Sequence, residues 1–133
     1  MIVVDTNLIA YLLVAGSHTA VAERVYMKDP EWTAPVLWRS ELRKVLASYG
    51  REGALAVDDA ILLMRQAEQL LAGREYQPAS DHVLAIAWRT GLTAYDAEFV
   101  AVARTLSIPL VTFDRAVLRK QAEVAVAPAA FAA

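Results

Sequence analysis

Cysteine is absent from the 133 residues of the chain. That excludes a disulfide framework, a thiolate nucleophile and a zinc–thiolate cluster. Long apolar runs are also missing. The longest, Leu8 to Gly16, lies between Asn7 and Ser17 and falls well short of the roughly 18 residues that span a bilayer. It sits near the N-terminus, but Asp5 precedes it and no basic leader does, so a signal peptide is not expected. A cytoplasmic location is then the default expectation. Histidine is scarce: His18 and His82 each stand alone, with no second His, Cys or acid at ligand spacing. There is no phosphate-cradling glycine loop and no nucleophile elbow with a Ser-His-Asp order. Positive charge is not in excess, since the formal net charge is −2. Any nucleic-acid contact must therefore rest on a local cluster of arginines rather than on the field of the whole molecule.

Apolar residues are plentiful, at 57% of the chain, with a mean hydropathy of +0.35. This length and composition predict one domain, residues 1–133, with a sizeable buried core. The apolar surplus predicts an interface with a second subunit or a partner.

Strand and helix patterns alternate along the chain. Ile2-Val3-Val4 reads as a strand buried on both faces. Helices follow from Thr6 to about Val14 and from His18 to about Lys28, and Trp32-Thr33-Ala34 reads as a second strand. Val36 to about Tyr49 is helical, with Trp38, Leu42, Val45 and Tyr49 along one face. Ala54 to Ala72 predicts a long helix in which Ile61-Leu62-Leu63-Met64 are consecutive, so it either lies deep in the core or shows a second face to a partner. Arg74 to Gln77 is a candidate third strand. Ser80 is a candidate cap for a helix with Leu84, Ala87 and Trp88 inward and Gly91 at its end. Asp96 opens the next helix, Leu110 to Phe113 is the fourth strand and Glu123 to Val126 the fifth. After Pro128 the signals are weak. The alternation predicts an α/β three-layer sandwich, a mostly parallel five-stranded sheet with helices on both faces.

Four carboxylates stand out against this pattern. Asp5 closes the first strand and Asp114 the fourth, so both are expected at the carboxyl edge of the sheet, where open α/β sheets bind ligands. Asp96 precedes Phe99, Val100 and Ala103 by three, four and seven residues, on the inward side of its helix. Glu41 follows Trp38 by three and precedes Val45 by four, beside the buried stripe. Singly, each acid has an ordinary explanation, as a helix cap for the three aspartates or as a solvated partner of Arg43 or Lys44 for Glu41. Jointly, four inward acids without matching cations are costly unless a metal ion joins them. Oxygen-only ligands select Mg²⁺ or Mn²⁺, and such an ion suits phosphodiester hydrolysis by activated water. Arg39, Arg43, Arg115 and Arg119 flank two of the acids and are candidates for RNA phosphates, with surface solubility as the alternative. Trp38, Tyr95 and Phe113 are candidates for base stacking, with core packing the stronger reading for Trp38.

The segments Val3-Val4-Asp5-Thr6-Asn7, Ser40-Glu41-Leu42, Tyr95-Asp96-Ala97 and Val111-Thr112-Phe113-Asp114 together resemble the PIN domain, in particular the VapC toxins of bacterial toxin–antitoxin pairs. The resemblance covers nearly the whole chain. It implies a metal-dependent ribonuclease with Asp5, Glu41, Asp96 and Asp114 around Mg²⁺ or Mn²⁺, and Asn7 and Thr112 as polar neighbours that orient a carboxylate or water. It further implies a homodimer and a cognate VapB-like antitoxin whose segment occupies the groove near the acids. Phe113 departs from the smaller or polar residue that many relatives carry. Three other readings remain open at this level. One is a PIN nuclease of RNA processing, or acting on DNA, without an antitoxin. The others are a catalytically inactive PIN-fold binding module and a signalling domain with an acidic pocket. The last is disfavoured by an acid as early as Asp5 and by Arg115 after Asp114.

Overall fold

Ile2, Val3 and Val4 carry β-branched side chains with no polar group between them, so their strand is stable only when covered on both faces. In the computed structural model, which describes residues 1–133, they form β1 (Ile2–Val4), buried at every position. Four more strands follow: β2 (Trp32–Pro35), β3 (Glu75–Tyr76), β4 (Leu110–Val111) and β5 (Ala125–Val126). Their order across the sheet is β3-β2-β1-β4-β5, and all four pairings are parallel. The last three strands are shorter than expected, two residues each.

Eight helices join and cover the strands: α1 (Thr6–Leu13), α2 (Thr19–Lys28), α3 (Trp38–Arg51), α4 (Val57–Leu70), α5 (Ser80–Thr90), α6 (Ala94–Leu106), α7 (Arg115–Lys120) and α8 (Pro128–Ala132). Helix α6 lies against β1, β2 and β4 and packs on α5, while α1 packs with α2, α3 and α4. The result is the expected three-layer sandwich. Trp32 and Trp38 are its largest fully buried side chains. No helix is long and apolar enough to cross a membrane.

Several local expectations are corrected. Val83 and Ile86 turn inward from α5, whereas Leu84 is 52% and Trp88 is 87% exposed. The three-residue spacing of Val83 and Ile86 competes with the four-residue spacing of Leu84 and Trp88, and the branched pair takes the core. Ser80 is the first helical residue of α5 and caps nothing; Gly91 ends the helix at φ 74°, as expected. Helix α6 begins two residues before Asp96, capped by Thr93, whose hydroxyl accepts the Asp96 N–H at 3.1 Å. Of the two readings of the long helix, burial deep in the core does not hold. Leu63 and Met64 meet the core, while Val57, Ile61 and Leu62 of α4 are exposed. The tail folds as α8, with Pro128 in its first turn, packed on α2.

Candidate active site

The sheet order reverses direction of growth at β1: β2 and β3 extend it one way, β4 and β5 the other. That switch point opens a crevice beyond the carboxyl ends of β1 and β4. Val4 pairs with Val111 in register, and the Asp5 N–H donates to the Val111 carbonyl at 3.2 Å. The residues after these strands therefore emerge side by side.

A cavity of about 480 Å³ fills the crevice, lined by all four predicted acids together with Thr6, Asn7, Lys44 and Thr112. The acids come from four places: the end of β1, the first turn of α3, the first turn of α6 and the end of β4. Asp5 is the most tightly held. Its Oδ1 accepts the Leu8 N–H at 2.8 Å, which caps α1. Its Oδ2 accepts the Thr112 hydroxyl at 2.7 Å and the Phe113 N–H at 2.8 Å. Thr112, buried, also accepts the Asp114 N–H at 3.0 Å, and Asp114 caps α7 by accepting the Val117 N–H at 2.9 Å. The cap explanation for Asp5 and Asp114 is thus correct and compatible with a place in the site, because a cap uses only part of a carboxylate's four acceptor positions.

Glu41 accepts the Thr6 hydroxyl at 2.7 Å. Thr6 is a site residue that the sequence reading passed over; its place beside Asp5 was the available signal. Thr112 donates to the Asp5 carboxylate, whereas Asn7 lines the cavity without a side-chain hydrogen bond. The carboxyls of Asp5, Glu41 and Asp96 are all held above the ordinary carboxylate range, in each case chiefly by burial. Like charge adds to this: Asp114 acts on Asp5 and Asp96, while Asp96, Asp5 and Glu98 act on Glu41. The hydroxyls of Thr112, Thr6 and Thr93 pull the other way.

No three of these side chains already stand close enough to grip one ion. The donor set nevertheless fits a hard divalent cation. It offers only oxygen among its charged ligands, each acid keeps free lone pairs, and five acids with Glu52 face the single cation Lys44. The candidate arginines are dispersed. Arg39 lies outside the cavity, its guanidinium committed to Glu68 and to Glu75, the latter at 2.8 Å. Arg43 borders a separate apolar groove with Leu46, Leu55 and Ile61. Arg115 and Arg119 are exposed on α7. Trp38 is fully buried. Phe113 packs edge-on against Tyr11, with ring centroids 5.1 Å apart, and beside His18. Tyr95 is 63% exposed.

The comparisons with known proteins agree with this geometry. The PIN domain matches residues 2–124. Ribonuclease VapC3 of Pyrobaculum aerophilum is 30% identical over 122 residues, 90% of this chain and 93% of that protein. The crystal structure of PAE2754, also from Pyrobaculum aerophilum, superposes with a TM-score of 0.74 over 98% of this chain and 92% of that one. At 24% identity it speaks for the fold alone. By the span of the match, its sheet and the four acids its strand and helix ends carry to one crevice, this chain belongs to the PIN domain family.

Proposed function

We propose that the chain is a divalent-metal-dependent endoribonuclease that hydrolyses RNA phosphodiester bonds, the toxin of a VapBC-type toxin–antitoxin pair acting in the cytoplasm. The observation that carries this reading is the convergence of Asp5, Glu41, Asp96 and Asp114 on one cavity at the switch point of the sheet. Membership of the PIN family and similarity to a protein named a ribonuclease support it. The four acids would hold Mg²⁺ or Mn²⁺, whose chemistry is to activate water and offset charge on the phosphoryl group. Around them the chain's own part is positioning. Thr112 and the Phe113 N–H fix the Asp5 carboxylate, Thr6 fixes Glu41, and Thr93 fixes the backbone that carries Asp96. Burial and mutual repulsion raise the pKa of these carboxyls, so protons compete with the cation for them and metal affinity should fall as the pH is lowered. RNA is expected to be cut in Mg²⁺ or Mn²⁺ and left intact after chelation, read by gel electrophoresis of the products. Equal cleavage with and without chelator would overturn the metal-dependent reading.

The same reading includes a homodimer and an antitoxin segment in the groove near the acids. Support for the dimer comes from apolar side chains left in solvent on one helix, α4, with Val57 at 71% and Leu62 at 55% exposure beside Ile61, since monomers rarely leave a large apolar patch uncovered. Light scattering should give twice the 14.5 kDa chain mass; a clean monomer at micromolar concentration would refute the dimer.

A further inference from the structure

Helix α3 presents one continuous stripe to the cavity: Glu41, Lys44, Val45, Ser48, Tyr49 and Glu52. These positions follow helical spacing, and at about 1.5 Å rise per residue Lys44 stands only about 4.5 Å along the helix from Glu41. Lys44 is exposed, and it is the only cation among the residues that line the cavity. It is also uncommitted. The ion pairs of the molecule use the N-terminus, Arg39 and Arg104, and Lys44 takes part in none of them, not even with Glu41 one turn away.

The electrostatics of the cavity call for such a group. Four ionised carboxylates around one divalent cation still leave net negative charge, and a phosphodiester that approaches brings more. A free ammonium at the wall is the one charge of the cavity lining that favours its entry. Lysine suits that task as a compact point charge on a flexible stem, a common phosphate binder. The arginines that flank the acids in sequence are less suited, since Arg39 is held by Glu68 and Glu75 and Arg43 faces the apolar groove.

Resting on the nuclease reading above, we propose that Lys44 is a substrate-binding residue that holds a phosphate of the RNA strand against α3, and so sets how the strand lies across the acids. The contact is to the backbone, so it adds affinity for any sequence.

The test is fluorescence anisotropy with a short, fluorescein-labelled single-stranded RNA of mixed sequence, bound in Mg²⁺ by the non-cleaving Asp96→Asn protein across a salt series. Adding Lys44→Ala should weaken binding several-fold and lower the slope of log affinity against log salt by about 0.7, the value for one phosphate contact on a single strand. Lys44→Arg should keep the slope, and Arg43→Ala, one residue away but on another face, should leave it unchanged. In the cleaving protein Lys44→Ala should raise KM with kcat nearly constant, as for binding shared by ground and transition states. Lys44→Ala with an unchanged slope and KM, in a protein that still binds and cleaves RNA, overturns the Lys44 inference and leaves the nuclease reading standing. A wild-type chain that neither binds nor cleaves RNA in Mg²⁺ or Mn²⁺ overturns both.

Discussion

Replacing Asp96 by asparagine is expected to lower RNA cleavage on the order of a thousandfold, the scale of losing a group that acts on transition-state charge, while the metal-free protein at neutral pH becomes more heat-stable. The two effects have one origin. The Asp96 carboxylate meets a single donor of the chain, the Thr93 hydroxyl, which an asparagine Oδ1 can still satisfy. The substitution therefore removes a charge without orphaning a donor. Asp5→Asn cannot do the same, because all three of its partners are donors, from Leu8, Thr112 and Phe113. An asparagine there must aim its amide N–H₂ at another donor, at a cost of about 1–3 kcal/mol. The sign with pH follows from the direction of the shifts. The carboxyls of Asp5, Glu41 and Asp96 are raised by burial, with neighbouring carboxylates adding to it. The folded chain then holds more protons than the unfolded chain between the ordinary carboxylate pKa and the raised values. Stability of the metal-free protein is fully present below that window and falls as pH rises through it. A cation that binds the ionised set restores it at neutral pH. Melting curves with chelator should show Asp96→Asn above wild type in neutral buffer, with the gap closing in mild acid. A variant that melts lower than wild type at neutral pH would contradict the repulsion inferred among these acids.

Trp38→Ala should cost about 3–5 kcal/mol, the usual loss for a large aromatic side chain cut out of a core, against a total of about 5–15 kcal/mol for a domain. The indole is fully buried, and its N–H donates to Glu75 at 2.8 Å. Glu75 also receives Arg39, so the first turn of α3 is fastened to β3 and, through Glu68, to α4. Glu41 stands three residues beyond Trp38, and loosening this turn moves a site residue as well as the core. Trp38→Phe keeps most of the buried ring and leaves Glu75 held by Arg39, so it should lose about 1–2 kcal/mol. Urea denaturation distinguishes the two, and a loss below about 1 kcal/mol for Trp38→Ala would show that the turn is held by other contacts.

The strands that carry Asp5 and Asp114 were legible because short β-branched runs bounded by polar residues admit few other structures, and parallel pairing puts their ends at one edge. Glu41 and Asp96 were legible through helical spacing against large apolar neighbours. What spacing alone could not settle was competition between two apolar stripes. On α5 both Val83-Ile86 and Leu84-Trp88 satisfy a helical period, and only packing on α6 decides that Trp88 faces outward. Partner choice was equally hidden. Arg39 follows Trp38 and precedes Glu41 by two, yet its charge is neutralised by Glu68 and Glu75, which are distant in sequence. Lys44, by contrast, was within reach of the sequence, since it lies on the same helical stripe as Glu41.

The central place of β1 has a consequence for how the protein comes into being. Its neighbour β4 lies more than a hundred residues downstream, and Asp5 has no settled carboxylate until Thr112 and Phe113 arrive to bind it. At ribosomal rates of about 5–20 residues per second, the 109 positions from Asp5 to Asp114 take roughly 5–20 s to synthesise. Throughout that interval the nascent chain has its first acid but no cleft. A cleft built this way cannot assemble until the segment from Leu110 to Asp114 has been made and has reached β1.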